Sequence, residues 1–555
     1  MKKKAIILLI ALCGFGSIAA QQRFNVGGLI IDPNGITAMD MFGYSQQTHT
    51  FGTARSAAMA GAMTSLGGDQ SAMSINPAGL GMYRTNEATI TPMIGVIHST
   101  NGAPSLEYDR NSATRFSMSN FGVVFKAYEG TGKITAVNVG FGYNRMADFN
   151  YRTSFCRPDN QSSIAGVFAR QLQQSGMVSD DFYDSNDYFD WGSIDPKYWG
   201  AALGYRCGLV YDRDGNGAQS SWAPDMYGTN PSVDQFATID SRGSIGEYAF
   251  SAGLNIGNKL YVGATLGMQS IYHRRKIYYG EEYSYAAGNR PAGYELRYFN
   301  YNQTAIVDGA GVNLKLGVTY RPISSLRLAV AFHTPTAYSL DYTYQAAMVS
   351  HVVDNKTGAA VSPDPEATTD IWRDNGPNSW NFSSPARLLF GASYTFGNIA
   401  IVSVDYERDW YNSIRTNSTP VGKGVYNEFF RQYFKGSNTV RVGAEIKPLP
   451  ILALRAGYGF NGSMLKDESI VFSSPVTYQS QYATAGVGFS LGYMFIDLAY
   501  QYVTNRQTDY RLFYALDQTG EVNSMGNVEL HDEFSGLFST KQSRHNVIMT
   551  FGFRF

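Results

Sequence analysis

After the first twenty residues the chain has no run of 18 apolar residues, so no transmembrane helix can be drawn. Charge is scarce at 16 % and carries no basic excess, with 44 Lys and Arg against 45 Asp and Glu. Nucleic acid is therefore not an expected partner. Histidine is rare, at seven residues, and none sits in a Ser/His or Asp/His nucleophile setting. An enzyme is not expected, and no cofactor or metal motif is complete. Three cysteines occur. Cys13 lies in the leader, preceded by Leu12 where a lipoprotein signal needs a small residue. Cys156 and Cys207 remain, and an even pair in an exported chain suggests a disulfide.

What is present points elsewhere. Lys2, Lys3 and Lys4, the apolar Ala5 to Leu12 and the small residues Ser17-Ile18-Ala19-Ala20 read as a secretory signal peptide over residues 1–20. The whole chain is rich in Tyr, with 39, and Gly, with 58. Export, abundant Tyr and Gly, and the lack of an apolar helix suit an outer-membrane barrel.

From residue 87 to 555 one unit recurs: about ten residues with apolar side chains at every second position. Val312, Leu314, Leu316, Val318 and Tyr320 alternate with Asn313, Lys315, Gly317, Thr319 and Arg321. Leu326, Leu328, Val330 and Phe332 alternate with Arg327, Ala329, Ala331 and His333. Successive strand side chains point to opposite faces. One face is thus apolar, the other glycine, small polar and charged. A greasy wall around a crowded polar interior fits this pattern, and a soluble sandwich with charged outer faces does not.

Fourteen such segments are predicted, near 87–98, 115–126, 133–146, 243–256, 259–272, 309–321, 325–335, 386–396, 398–411, 438–447, 451–461, 482–491, 494–504 and 544–555. The fold class is all-β, a transmembrane antiparallel barrel. Alternate joins are tight, as at Gly257-Asn258, Gly397-Asn398 and Gly492-Tyr493, while those between are long, the largest spanning 147–242. Short periplasmic turns and long external loops are the barrel rule. The last strand ends on Phe555, like the recognition signal of the outer-membrane insertion machinery, which is an expected partner together with outer-membrane lipid and lipopolysaccharide.

Residues 21–86 do not alternate. A small-residue run, Ala54 to Ala62, precedes Ser71-Ala72-Met73-Ser74-Ile75-Asn76-Pro77-Ala78-Gly79-Leu80. Pro77 and Gly79 dictate a sharp bend, and small side chains allow close packing inside a lumen. Gly61-Ala62, Ser71-Ala72 and Asn76-Pro77-Ala78-Gly79-Leu80 resemble the amino-terminal plug of the FadL/TodX family. Asn258 to Ala264, Leu326 to Pro335, and Arg441 to Glu445 with Leu454 to Tyr458 are similar to family hairpins in the same order. The resemblance implies a fourteen-strand barrel around a plug, monomeric, passing long-chain fatty acids or aromatic hydrocarbons. The long 147–242 insertion and the long stretch before Ala54 depart from it.

The expected function is passive uptake of small hydrophobic molecules, with a general porin or a loop-based adhesin as alternatives. Candidate path residues are Asn76, Pro77, Ala78 and Gly79 in the plug. On the lumen side they are Arg327, His333, Arg441 and Arg455, which either hold a carboxylate head group or pair with Glu407, Glu445 or Asp497. Asp212, Asp214 and Asn216 open a calcium-loop pattern, but position twelve is Ala223 where a Glu is needed. The aromatic stretch Asp181 to Trp191 is a candidate external groove.

Overall fold

The computed structural model describes residues 24–555, apart from 29–30, 32, 34, 48–50, 102–109, 161, 213–221, 225–230, 292, 362–365, 369–378, 418–422, 467–469, 472–473, 476–479, 512–520, 523–527 and 530–536. The predicted signal segment lies outside the described residues.

All fourteen predicted segments are barrel strands. They are β1 Glu87–Asn101, β2 Arg110–Glu129, β3 Ile134–Asp148, β4 Ser232–Ile256, β5 Leu260–Ser284, β6 Tyr294–Ile323 and β7 Leu326–His333. The circle continues with β8 Arg387–Phe396, β9 Ala400–Trp410, β10 Gly436–Leu449, β11 Leu452–Asn461, β12 Ser480–Leu491, β13 Met494–Arg511 and β14 Leu537–Arg554. Each is antiparallel to the next, and β14 pairs with β1, Glu87 opposite Arg554, so no edge is left. Closure satisfies every ladder group internally, the condition for a sheet in hydrocarbon.

Alternation sets the faces as expected. On β6, Val312, Leu314, Leu316 and Val318 are exposed, while Asn313, Lys315 and Thr319 are buried. The short joins all lie at one end, with Phe555 bonded back to Asn86 there. We call this the turn end and the opposite one the loop end.

Three strands are far longer than predicted: β4 and β5 have 25 residues and β6 has 30. A bilayer needs only about 9–11 tilted residues. The surplus rises at the loop end and carries a cap, built from the 147–242 insertion and later loops. Its apolar core joins Phe155, Phe168, Trp199, Phe299 and Tyr301. The helices Ile164–Ser175 and Trp199–Arg206 pack there, and so does Ala38–Ser45 from the amino-terminal stretch.

Three neighbouring strands are interrupted at one level. β7 stops at His333, and Ala337–Asp354 resumes the pairing with β6 after Thr334-Pro335-Thr336. In the next two lines of pairing, Ser379–Ser383 and β8 flank Ser384-Pro385-Ala386, and β9 and Arg415–Thr416 flank Tyr411 to Ile414. A proline has no N–H for the ladder, which accounts for two of the breaks.

Candidate functional site: the filled lumen

Residues 51–83 run inside the barrel and are buried almost throughout. Glycines on the inner wall make room for them. A Cβ at Gly457 would lie 2.6 Å from the Ala60 nitrogen, one at Gly443 2.6 Å from the Met59 oxygen, and one at Gly486 2.5 Å from the Ala58 Cβ. At Gly263 it would strike the Pro77 backbone. Side chains at these positions would hold the inner segment off the wall. The Gly-rich inner face legible in the sequence is thus a seat for this segment.

The four predicted plug residues form the bend. Asn76 donates through Nδ2 to the Thr64 carbonyl at 2.6 Å and to Thr319 Oγ1 at 3.2 Å, and its Oδ1 accepts from the Ala78 N–H. Pro77 opens a two-turn 3₁₀ segment, Pro77–Met82, against β4, β5 and β6. The Gly79 carbonyl accepts from Gly68.

The lumen candidates divide. Arg327 donates to the Leu66 carbonyl at 3.0 Å, and His333 Nε2 lies 2.9 Å from the Ile75 carbonyl. Both therefore hold the inner segment to the wall. Arg455 bonds Glu445 at 2.7 Å and Asp497 at 2.5 Å. Arg441 pairs with Glu407 at 2.5 Å and donates to Tyr482, but its Nη1 is buried without a hydrogen-bond partner.

Two cavities flank the inner segment. On the loop side a chamber of about 310 Å³ has polar walls at Arg441, Glu407 and Asp409 and apolar walls at Phe51, Phe149 and Met464. On the turn side a vestibule of about 220 Å³ is lined by Arg55, Asp69, Glu87, Glu445, Arg455 and Asp497. Phe51 borders the first and Thr53 the second. Between them Phe51, Ala54, Ala57 and Ala58 of the inner segment pack on Met93, Ala499 and Ile548 of the wall, with the Thr550 hydroxyl accepting from the Ala54 N–H and Thr484 donating to the Ala58 carbonyl. Those three wall residues are inward-facing and apolar, as are Ala331 and Leu389 against Met59, Met63 and Leu66, and Val124 and Ala249 against Met73 and Leu80. A third, small cavity sits at the strand interruptions, beside Lys315, His333, Thr334, Ser384, Pro385 and Arg387.

No protein-family model and no curated protein matches the chain. Several solved structures are similar. The Pseudomonas putida toluene transporter TodX aligns over 91 % of this chain and 99 % of that one, at 12 % identity and a TM-score of 0.47. The Ralstonia pickettii toluene transporter TbuX aligns over 91 % and 99 %, at 14 % and 0.42. A Pseudomonas aeruginosa FadL homologue aligns over 91 % and 98 %, at 12 % and 0.45. The functional reading below rests on the chain's own residues.

The lumen also contains groups that were not singled out in the sequence. Lys315 and Glu247 form a buried ion pair, to which Ser74 donates at 2.7 Å and Gln269 at 2.9 Å. Arg387 lies 3.6 Å from Glu407 and 3.5 Å from Asp409, and donates to the Ser45 carbonyl. Arg55 reaches Glu445 from the inner segment. The available signal was a charge at an inward position of an otherwise apolar alternation, as at Lys315.

Two expectations fail. Cys156 and Cys207 do not form a disulfide. Cys207 caps a helix inside the cap core, where its thiol donates to the Met348 carbonyl at 3.4 Å, whereas Cys156 lies on the strand Tyr151–Asn160 opposite Phe236. The aromatic stretch is not an open groove either. Phe182 stacks on Phe189 and Tyr205, and Trp191 packs on Trp199, so these rings fill the cap, while Tyr183 and Tyr188 are exposed. Of the calcium pattern, Asp214 and Asn216 lie outside the described residues. Among those described, no cluster of metal-ligating side chains occurs.

Proposed function

We propose that the chain is an outer-membrane channel through which small hydrophobic molecules pass passively, entering at the loop end and leaving towards the periplasm. The short turns face the periplasm and the cap faces outward, as export and insertion from within require.

The observation that carries this reading is the apolar seal between two polar cavities. Water and ions in the chamber meet Phe51, Ala54, Ala57 and Ala58 packed on Met93, Ala499 and Ile548. An ion would shed its hydration there without a partner, at a cost of several kcal/mol. An apolar solute gains roughly 0.8 kcal/mol per CH₂ buried. The barrier therefore discriminates in favour of greasy molecules. The chamber's volume is at the lower end of ligand pockets, which run from about 300 to 1,000 Å³. That favours a compact molecule, such as a single aromatic ring, over an extended long-chain fatty acid. Arg441 is the group that would hold a polar head.

Passage requires the inner segment, acting as a plug, to shift at the seal, with the Asn76–Gly79 bend as its hinge. Ser65 on this segment and Ser403 on β9 have their hydroxyl oxygens 3.5 Å apart, so Ser65→Cys with Ser403→Cys can be oxidised to lock the segment to the wall. The locked protein should lose uptake of labelled toluene at least tenfold and regain it on reduction. Unchanged uptake by fully cross-linked protein rejects plug movement. Large steady ion currents from the unmodified protein in a planar bilayer reject the channel reading in favour of a general porin.

A further inference from the structure

The outer face of β4 and β5 changes character with height. Cross-strand pairs rise from the turn end as Phe250 with Leu266, Tyr248 with Met268, Gly246 with Ser270 and Ser244 with Tyr272. Next come Arg242 with Arg274, then Asp240 with Lys276. Arg152, on the strand Tyr151–Asn160, stands opposite Asp240 on its other side. Alternation puts all of these on the outside. Phe250, Leu266, Tyr248, Met268 and Tyr272 are each between 41 and 49 % exposed, as a lipid-facing band with a tyrosine rim requires.

Directly above that rim stand four cations, Arg152, Arg242, Arg274 and Lys276, with one anion among them. Arg242 and Asp240 bond through two contacts of 2.9 and 3.0 Å. Among the described residues the other three cations form no ion pair, and Arg274 Nε is buried with no hydrogen-bond partner. Arg115 and Arg274 add their fields at Asp240. Two outward acids lie one row below: Asp308 stands opposite Tyr272, diagonal to Arg274, and faces Asp341 on its other side, while Asp234 and Glu282 lie three pairs above Lys276. Two arginines directly opposite on one sheet face repel each other. Arg242 is held by Asp240, so a divalent oxyanion would take its charge-assisted bonds from Arg274, Arg152 and Lys276, and the guanidinium fork matches a phosphate. Ile256 to Arg242 is fourteen residues, which places the cations about 35 Å above the turns for strands tilted by about 40°. That is the level of outer-leaflet head groups.

We propose that Arg152, Arg274 and Lys276 form a site for the phosphate of a phosphorylated outer-leaflet lipid, held with its acyl chains along the Tyr272–Phe250 face. The site rests on the membrane orientation given above but not on the identity of the cargo.

The test uses the full-length protein in mild detergent and native mass spectrometry. The probes are bisphosphorylated lipid A, its fully dephosphorylated form, and inorganic phosphate. The wild type should retain the phosphorylated lipid at least tenfold better than the dephosphorylated one and should not be competed by equimolar inorganic phosphate. Arg152→Gln/Arg274→Gln/Lys276→Gln should lose that preference. Arg274→Lys should restore part of it to Arg152→Gln/Lys276→Gln relative to Arg274→Gln in the same background. The control Arg431→Gln, a substitution at an exposed helix, should leave it intact. Equal retention by wild type and triple variant, loss of preference in the control, or equal competition by free phosphate overturns the proposal. Should the triple variant fail to fold, Arg274→Gln alone must weaken retention, and unchanged retention overturns the site. Orientation is read separately. A cysteine at Asn186 in the cap should react with a membrane-impermeant maleimide on intact cells, above the wild-type background. No reaction overturns the outward cap, and the lipid site with it, while a failure of toluene uptake leaves both standing.

Discussion

The membrane half of the barrel and the cap are built on the same strands with opposite polarity. On β6, the inward side chains of the cap half are Phe299, Tyr301, Ala305 and Val307, and the outward ones are Asn300, Asn302, Thr304 and Asp308. Past Gly309 the assignment reverses. Asn313, Lys315 and Thr319 point inward, and Val312, Leu314, Leu316 and Val318 outward. The cap is an ordinary water-soluble core. The lower half is the same sheet turned inside out. The side-chain phase never slips; only the solvent outside it changes from water to acyl chains. Burial alone therefore does not identify the apolar face of a sheet. The surrounding medium does.

The largest expected effect separates the two halves by one kind of substitution. Phe299→Ala empties a fully buried site in the cap and should cost about 3–5 kcal/mol. Phe390→Ala, on the lipid face and 43 % exposed, should cost a small fraction of that, because lipid tails fill the space as well as a side chain does. Denaturant unfolding in lipid vesicles measures both, and equal costs would break the contrast. A charge is the second probe. Leu316→Arg on the lipid face should destabilise by about 2–4 kcal/mol, whereas Asn300→Arg on the outer face of the cap, opposite Gly280, should stay within about 0.5 kcal/mol. Comparable losses would place both residues in the same medium.

The smallest effect concerns acid. Asp40, in the cap helix Ala38–Ser45, is buried, which pushes its carboxyl up. Arg275 at 3.1 Å, the Thr37 hydroxyl and amide, and the field of His273 more than offset this, so its pKa lies below the usual value. A depressed carboxyl stabilises the folded state above the unfolded-chain value of about 3.9, and that contribution is lost as pH falls through the lower folded value. Hydrogen-exchange protection over residues 37–45, taken relative to the intrinsic amide rate at each pH, should therefore fall several-fold between pH 5 and pH 3. Asp40→Asn should be less protected at pH 5 and should lose less of its protection on acidification. Unchanged protection in the wild type would detach this helix from its ion pair.

Legibility followed the same boundary. All fourteen membrane strands were readable because lipid on one side and packed small residues on the other enforce a strict period of two. Their extensions were not. In Tyr294 to Asp308, tyrosines and polar side chains share both faces, and the apolar phase is opposite to the one that marks the membrane strand. The bend at Asn76–Gly79 was legible from proline and glycine chemistry. The seal was not, because Phe51 and Ala54 must meet Met93, Ala499 and Ile548 on three adjacent strands, two of them over 400 residues away in sequence, and no local pattern records that meeting. Arg441 and Arg455 were legible as inward charges with Glu407, Glu445 and Asp497 as candidate partners, and which acid met which arginine was fixed by which strands became neighbours. The disulfide expected from counting cysteines failed for a related reason. Pairing needs proximity, and the fold put Cys207 in the cap core and Cys156 on a strand.

Taken alone, the order of residues determined the number of membrane strands, their alternating faces, the end at which the turns are short, and the bend in the inner segment. Each of these depends on side chains within a few positions of one another. The closure of β14 on β1, the seating of residues 51–83 against wall glycines, the apolar seal and the cations gathered above Tyr272 were decided by tertiary structure. Each of those requires strands remote in sequence to share a level around the barrel, and that shared level is set by the register of the closed sheet.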